Sequence, residues 1–157
     1  MNKTTAQDLL LYWSPKTAKD VLKREDILDH VASDQLKRAS IGDVIWVVTV
    51  YDGELFLLGK LIVDTITDRT GAMKRLGRKD VWGNKNHYGV AIRGKEEPLK
   101  KISLRNEIRK LVFISSNVKS NRLNIDDKGN VNAQQLQTMR ILDNASAHLL
   151  DQIWKGK

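Results

Sequence analysis

The chain has no cysteine, which excludes a disulfide framework, a thiol nucleophile and any Cys-ligated zinc or iron–sulfur centre. Its three histidines, His30, His87 and His148, lie far apart, so a histidine-rich metal site has little to build from. No cofactor or metal is expected. Proline occurs only twice in 157 residues, and no Pro/Gly/Ser-rich stretch marks a linker. No apolar run approaches the roughly 18 residues of a membrane span. The N-terminus lacks the basic, then apolar, then small order of a secretion signal, so a cytoplasmic protein with no membrane partner is expected. What is present is a 41% apolar content spread evenly along the chain, enough for one compact domain over residues 1–157.

Positive charge is concentrated. Residues 67–122 carry 15 Lys/Arg against 5 Asp/Glu, while residues 1–66 carry 8 against 10 and residues 123–157 carry 4 against 4. The net charge of +8 therefore comes from the middle third. One basic segment on a balanced domain suits a polyanion, whose phosphates Lys and Arg neutralise. A merely solvated, solubilising surface fits the composition equally well.

Hydrophobic patterning supplies the elements. Gln7–Trp13 reads as a strand closed by Ser14-Pro15. Thr17–Leu22 and Asp26–Lys37 show apolar residues near helical spacing. Val44–Tyr51 is the strongest strand signal, followed by the hairpin turn Asp52-Gly53 and a return strand over Glu54–Ile66. Gly59 within that strand marks a bulge or bend. Both arms are apolar rather than alternating, so both faces should be covered. Thr67–Lys85 reads as a basic loop with room for one short helix. His87–Arg93 and Leu111–Ser115 read as strands, with a basic amphipathic stretch at Leu104–Lys110 and a turn within Asn121–Asn132. Helices are expected over Ala133–Arg140 and Asn144–Trp154, the second capped by Asp143.

No catalytic constellation stands out. The serines lack a nucleophile-elbow setting, and Gly71, Gly77 and Gly83 are too widely spaced to cradle a phosphate. His30 and Asp34, four apart on the expected helix, read as an ordinary surface pair. Trp46 and Trp154 read as core residues. Trp13, where the first strand leaves the sheet, and Trp82, in the basic segment, divide equally between core and ligand roles. An aromatic among cations suits stacking on a nucleobase while its neighbours hold the backbone. His87 would then contact a base or phosphate, or else sit unpartnered at a strand edge. Lys74, Arg75, Arg78, Lys79 and Lys85 are the candidate phosphate contacts.

The order of these features carries a resemblance. Tyr12-Trp13-Ser14-Pro15 ends the first strand, Asp29–Lys37 follows, and Gly42-Asp43 opens a Val/Trp-rich hairpin that runs to Leu57-Leu58-Gly59-Lys60-Leu61. This resembles the PUA-like superfamily, and most of all the group containing EVE, YTH, ASCH and SRA domains. The likeness to EVE-like modules is clearest over residues 8–66. The tail, Val131–Trp154, is similar to that of small PUA-like modules also found attached to HNH-type nucleases. The resemblance implies an α+β fold, a twisted β-barrel flanked by α-helices. At one end of the barrel it implies a pocket where aromatic side chains sandwich one base, often a modified one, removed from its stack. It places Trp13 and Ser14 in that pocket, with Ser33, Asp34 and Gln35 in the polar segment that reads the base edge. Asp34 stands where many relatives have Asn. Trp82 and His87 join the pocket on their composition alone.

Three functions follow. The first is a non-catalytic reader of nucleic acid, with DNA bearing a modified base favoured over RNA, which would suit a restriction or defence setting. The second is an ASCH-like hydrolase of modified nucleosides or RNA, using Lys16, Thr17 and Glu54. The third is a docking module for a separate nuclease or helicase.

Overall fold

The hairpin predicted at the centre of the chain is the spine of a large twisted sheet. The structure, a computed structural model, describes residues 6–114 and 122–156. Its elements in chain order are β1 (Asp8–Tyr12), α1 (Pro15–Arg24), β2 (Ile27–Leu28), β3 (His30–Ala32), β4 (Val44–Tyr51), β5 (Glu54–Thr67), α2 (Arg69–Leu76), β6 (Tyr88–Ala91), β7 (Glu97–Pro98), β8 (Ile102–Ser103), β9 (Phe113–Ile114), β10 (Arg140–Leu142) and α3 (Asn144–Lys155). Short 3-10 turns occupy Asp34–Arg38, Ile108–Lys110 and Ala133–Leu136. The main sheet runs β3-β6-β5-β4-β1-β10-β9, with β8 added beside β5, and β2 pairs separately with β7. Among the described residues only β1 and β4 pair in parallel; the other ladders are antiparallel. This is a mixed α+β fold with three α-helices among the described residues. Among the described residues the ladder stays open from β3 to β9 and does not close into the barrel that the resemblance implied.

The β4–β5 hairpin turns at Asp52 (φ 49°) and Gly53 (φ 81°), the left-handed pair that matches the twist of the flanking strands. Its register slips once: Val47 faces Gly59 and Val48 faces Leu57, so Leu58 is the extra residue of a bulge beside Gly59. The extra backbone carbonyl accepts a hydrogen bond from the Lys100 N–H at 2.8 Å. The bulge changes which side chains point where. Leu55 and Leu57 pack toward α3 with Trp46, Val48 and Trp154, whereas Leu58, Leu61 and Val63 pack on the opposite face with Trp13, Val47 and α1. Lys60, just past the bulge, lies on the α3 side, with its ammonium 5.3 Å from the Trp46 ring centre and 2.8 Å from Asp151. Both faces of the hairpin are thus covered, as its unbroken apolar runs required.

Two expected helices are absent. Asp26–Lys37 forms β2, β3 and a 3-10 turn: Ile27 and Leu28 pair with Pro98 and Glu97, and His30–Ala32 pairs with Tyr88–Val90. Ser33, in extended backbone, caps the turn through its hydroxyl and the Gln35 N–H. The apolar spacing looked helical, but pairing with distant strands overrides so weak a local preference. His30 and Asp34 therefore do not share a helix face: His30 is a fully buried strand residue. Ala133–Arg140 is a single capped turn followed by β10, because Leu136 and Met139 give it too little apolar face to hold a longer helix. Asn144–Lys155 is helical, and Asp143 caps it through the Ser146 N–H at 2.8 Å. Ser115 and Asn121, at the ends of two predicted segments, lie outside the described residues. No helix among the described residues is long and apolar enough to cross a membrane.

Candidate functional site

A hollow of about 550 Å³ opens where β1, α1, the turn after β3 and the loop before β6 meet. Each wall has a local cause. Ser14 caps α1, its hydroxyl accepting the Thr17 N–H at 3.2 Å, and Pro15 begins the helix where a missing N–H costs nothing. Thr17, Asp20 and Arg24 then recur on the helix face that borders the cavity. Trp13 continues β1 by one residue: its N–H donates to the Val48 carbonyl, and its own carbonyl accepts the buried Thr49 hydroxyl at 2.8 Å. The loop carrying Trp82 packs closely over β3. Gly83 has φ 106°, and a Cβ there would stand 2.6 Å from that of Ala32, so glycine is needed on both counts.

The hollow brings together Trp13, Ser14, Ser33, Asp34, Gln35, Trp82 and Lys85. Trp13 and Trp82, from distant segments, meet edge to face with centroids 5.3 Å apart and planes at 89°. They are only 4% and 8% exposed and belong to the core as well as to the cavity wall. The expected sandwich is not formed. A base held between two rings needs them parallel and roughly 7 Å apart, twice the carbon contact distance. Asp34 accepts the Asn86 N–H through one carboxylate oxygen at 3.2 Å. His87 is not in the cavity wall: its carbonyl accepts the Ser33 N–H, and its Nδ1 is buried without a hydrogen-bond partner. The Trp13 indole N–H is likewise buried and unpartnered.

The five candidate phosphate contacts do not form one patch. Lys85 borders the hollow. Lys74 and Arg75, on α2, line a separate depression of about 490 Å³ with Asp29, Asp64 and Glu96, and Arg75 pairs with Asp64. Lys79 lies exposed in the loop. Arg78 is held by carboxylates: it meets Asp29 at 3.0 Å, Asp80 at 3.1 Å and Glu25 at 3.3 Å. Much of the basic segment is spent inside the protein in this way. Arg69 donates to the Val81 carbonyl, and Lys100 donates to that of Trp154 at 2.8 Å.

Beneath Trp82 lies a residue that sequence reasoning assigned elsewhere. His30 is wholly buried, with its Nδ1 2.7 Å from an Asp29 oxygen, its Nε2 3.1 Å from the Trp82 carbonyl, and its ring 4.3 Å from the Trp82 ring. Burial pushes the Asp29 carboxyl up, but the hydrogen bonds and charges of His30 and Arg78 outweigh it and hold Asp29 below the usual carboxylate range. The acidic residue adjacent in sequence was the one available signal for this partner. Glu54, part of the hydrolase reading, bonds Ser103 and Arg105 and does not border the hollow that Thr17 borders. Among the described residues no group of acidic and histidine side chains is arranged to hold a metal.

No protein-family profile and no curated protein sequence matches the chain. Among solved structures, the ASCH protein of Zymomonas mobilis superposes with a TM-score of 0.51 at 13% identity, over 93% of this chain and 94% of that one. A serine-to-alanine variant of the same protein gives 0.49 at 13% identity, over 94% and 96%. The first likeness is one of fold alone.

Proposed function

We propose that the chain is a non-catalytic reader of nucleic acid, taking one base into the hollow walled by Trp13 and Trp82. One observation carries this reading: two indoles from segments far apart in sequence converge on a cavity that also holds Ser14, Ser33, Asp34, Gln35 and Lys85. An aromatic wall supplies stacking area, polar groups read an edge, and a cation at the rim meets the backbone. Since the rings leave no slot between them, the base packs against the indole wall rather than between two faces. Asp34 offers an acceptor to a base amino group or ring N–H. On this reading the open sheet is a variant of the EVE-like, PUA-like barrel, DNA with a modified base is favoured over RNA, and a separate cytoplasmic nuclease or helicase acts on what is recognised.

The experiment is a titration of short DNAs and RNAs, plain and carrying methylated or hydroxymethylated bases, at two salt concentrations. Preference for one modified base that persists at the higher salt is expected, and Trp13→Ala or Trp82→Ala should abolish it. Equal, steeply salt-dependent binding to every oligonucleotide would reduce the interaction to phosphate contacts and overturn the reading.

A further inference from the structure

His30 is buried, titratable and unused by the reading above, and the way it is held is unusual. Both ring nitrogens face acceptors: the Asp29 carboxylate at 2.7 Å and the Trp82 backbone carbonyl at 3.1 Å. A neutral imidazole has one N–H and satisfies one such partner; only the imidazolium satisfies both. Its surroundings supply compensation for the charge. Asp29 precedes it on the chain, and Arg78, from the loop after α2, bonds both oxygens of Asp29 at 3.0 Å. Glu25 and Asp80 reach the cluster through Arg78, and Tyr88 of β6 stacks on the far side of the ring at 6.2 Å. Three carboxylates surround Arg78, with Arg24 acting on Asp80 as the other fixed cation, so the second proton on His30 brings the cluster closer to neutrality.

We propose that His30 is a positioning residue of the hollow, an imidazolium that clamps the Trp82 wall in place only while it carries its second proton. The inference rests on the hollow being the base site. When the proton leaves, the remaining one stays on Nδ1, opposite the full charge of Asp29, and the bond given up is the one from Nε2 to Trp82. The attraction between the charged ring and the Trp82 face, 4.3 Å away, is lost with it. The Trp82 loop then keeps two anchors, the Tyr88 hydroxyl on the Gly83 carbonyl at 2.7 Å and the Arg69 guanidinium on the Val81 carbonyl at 2.8 Å. Base binding is therefore strongest on the acid side of the His30 titration and weakens as the pH rises through it.

The clamp is read first without any ligand. In ¹⁵N-labelled protein, the histidine ring nitrogens and tryptophan indole N–H groups are followed from about pH 5.5 to about pH 9. The expected result is an imidazolium pattern for His30 at the acid end, and a Trp82 indole signal that shifts with the same midpoint. In His30→Gln that shift should be lost. A ring that is already neutral at the acid end, or a Trp82 signal that ignores the His30 titration, would overturn the proposal, and neither result depends on the variant folding. With a modified-base oligonucleotide, affinity should fall about fivefold across the same midpoint, the worth of one hydrogen bond, and should stay flat in His30→Gln. A flat native profile would refute the coupling to binding. If no oligonucleotide binds at any pH while Trp82 still follows His30, the clamp stands and the base-reading function fails.

Discussion

Replacing Thr49 by valine tests whether β4 holds Trp13 in the wall of the hollow. Thr49 is fully buried, and its hydroxyl donates to the Trp13 carbonyl at 2.8 Å. Valine keeps the β-branched shape, so the strand and its ladder should persist, but the carbonyl loses that donor in a place water does not reach. Leaving a buried polar group unsatisfied costs about 1–3 kcal/mol, and the extra methyl returns up to about 0.8 kcal/mol of burial. A net loss of about 1–2 kcal/mol follows. In a domain of this size each kcal/mol moves the melting temperature by about 2–4 °C, so Tm should fall by roughly 2–8 °C. The urea midpoint should fall with an unchanged m-value, since the surface exposed on unfolding stays the same. The near-UV circular dichroism of the native state should also change, because a released Trp13 backbone alters the edge-to-face pair with Trp82. A Tm within about 1 °C of the native protein, together with an unaltered near-UV spectrum, would refute the claim that this bond positions Trp13.

Three further outcomes are expected. Gly83→Ala should destabilise by about 2 kcal/mol or more, since it adds a contact 2.6 Å from Ala32 to the backbone strain at φ 106°; Gly77→Ala, at φ 70° in open space, should cost only about 1 kcal/mol, and equal melting temperatures would refute the close approach. Asp29, ionised below the usual range in the folded state, contributes stability above its unfolded pKa and loses it as the pH falls through the lower folded value. Unfolding free energies of the native protein should therefore drop below about pH 4, with a shallower drop in Asp29→Asn, and parallel acid limbs would count against the ion cluster. Lys85→Ala should reduce the steepness of log K against log salt by about 0.7–0.9, one phosphate contact, and an unchanged slope would remove Lys85 from the interface.

The parts of the fold that could be read from sequence are those whose determinants are local. Val44–Tyr51, its Asp52-Gly53 turn and the irregularity at Gly59 are written in neighbouring residues, as is the Asp143 cap of α3. The segment after α1 was misread because Ile27, Leu28 and Val31 fit a helical period, and what makes them strands lies in Glu97-Pro98 and Tyr88–Val90. The hollow was legible in part for the same reason. Trp13 and Ser14 sit where the end of the first strand puts them, whereas Ser33–Gln35 fell inside an expected helix and were assigned to the pocket by resemblance alone. The perpendicular contact of Trp13 with Trp82 depends on a loop whose path no local pattern specifies. Arg78 looked like a phosphate contact because composition records a cation without its partners. Only the fold brings Glu25, Asp29 and Asp80 around it.

The bulge at Leu58 makes β5 respond unequally to lengthening and shortening. Leu58 and Gly59 together oppose one position of β4, so the strand holds a residue more than its ladder uses. A one-residue deletion near this point can be taken up by flattening the bulge, leaving Lys60 facing Trp46 and Leu61 and Val63 on the α1 side. A one-residue insertion meets no such slack. It must raise a second bulge or turn the rest of the strand over, putting Lys60 on the α1 side, away from Asp151, and Leu61 toward Asp151. In a library of single-codon length variants across residues 54–63, shortened chains should thus survive more often than lengthened ones.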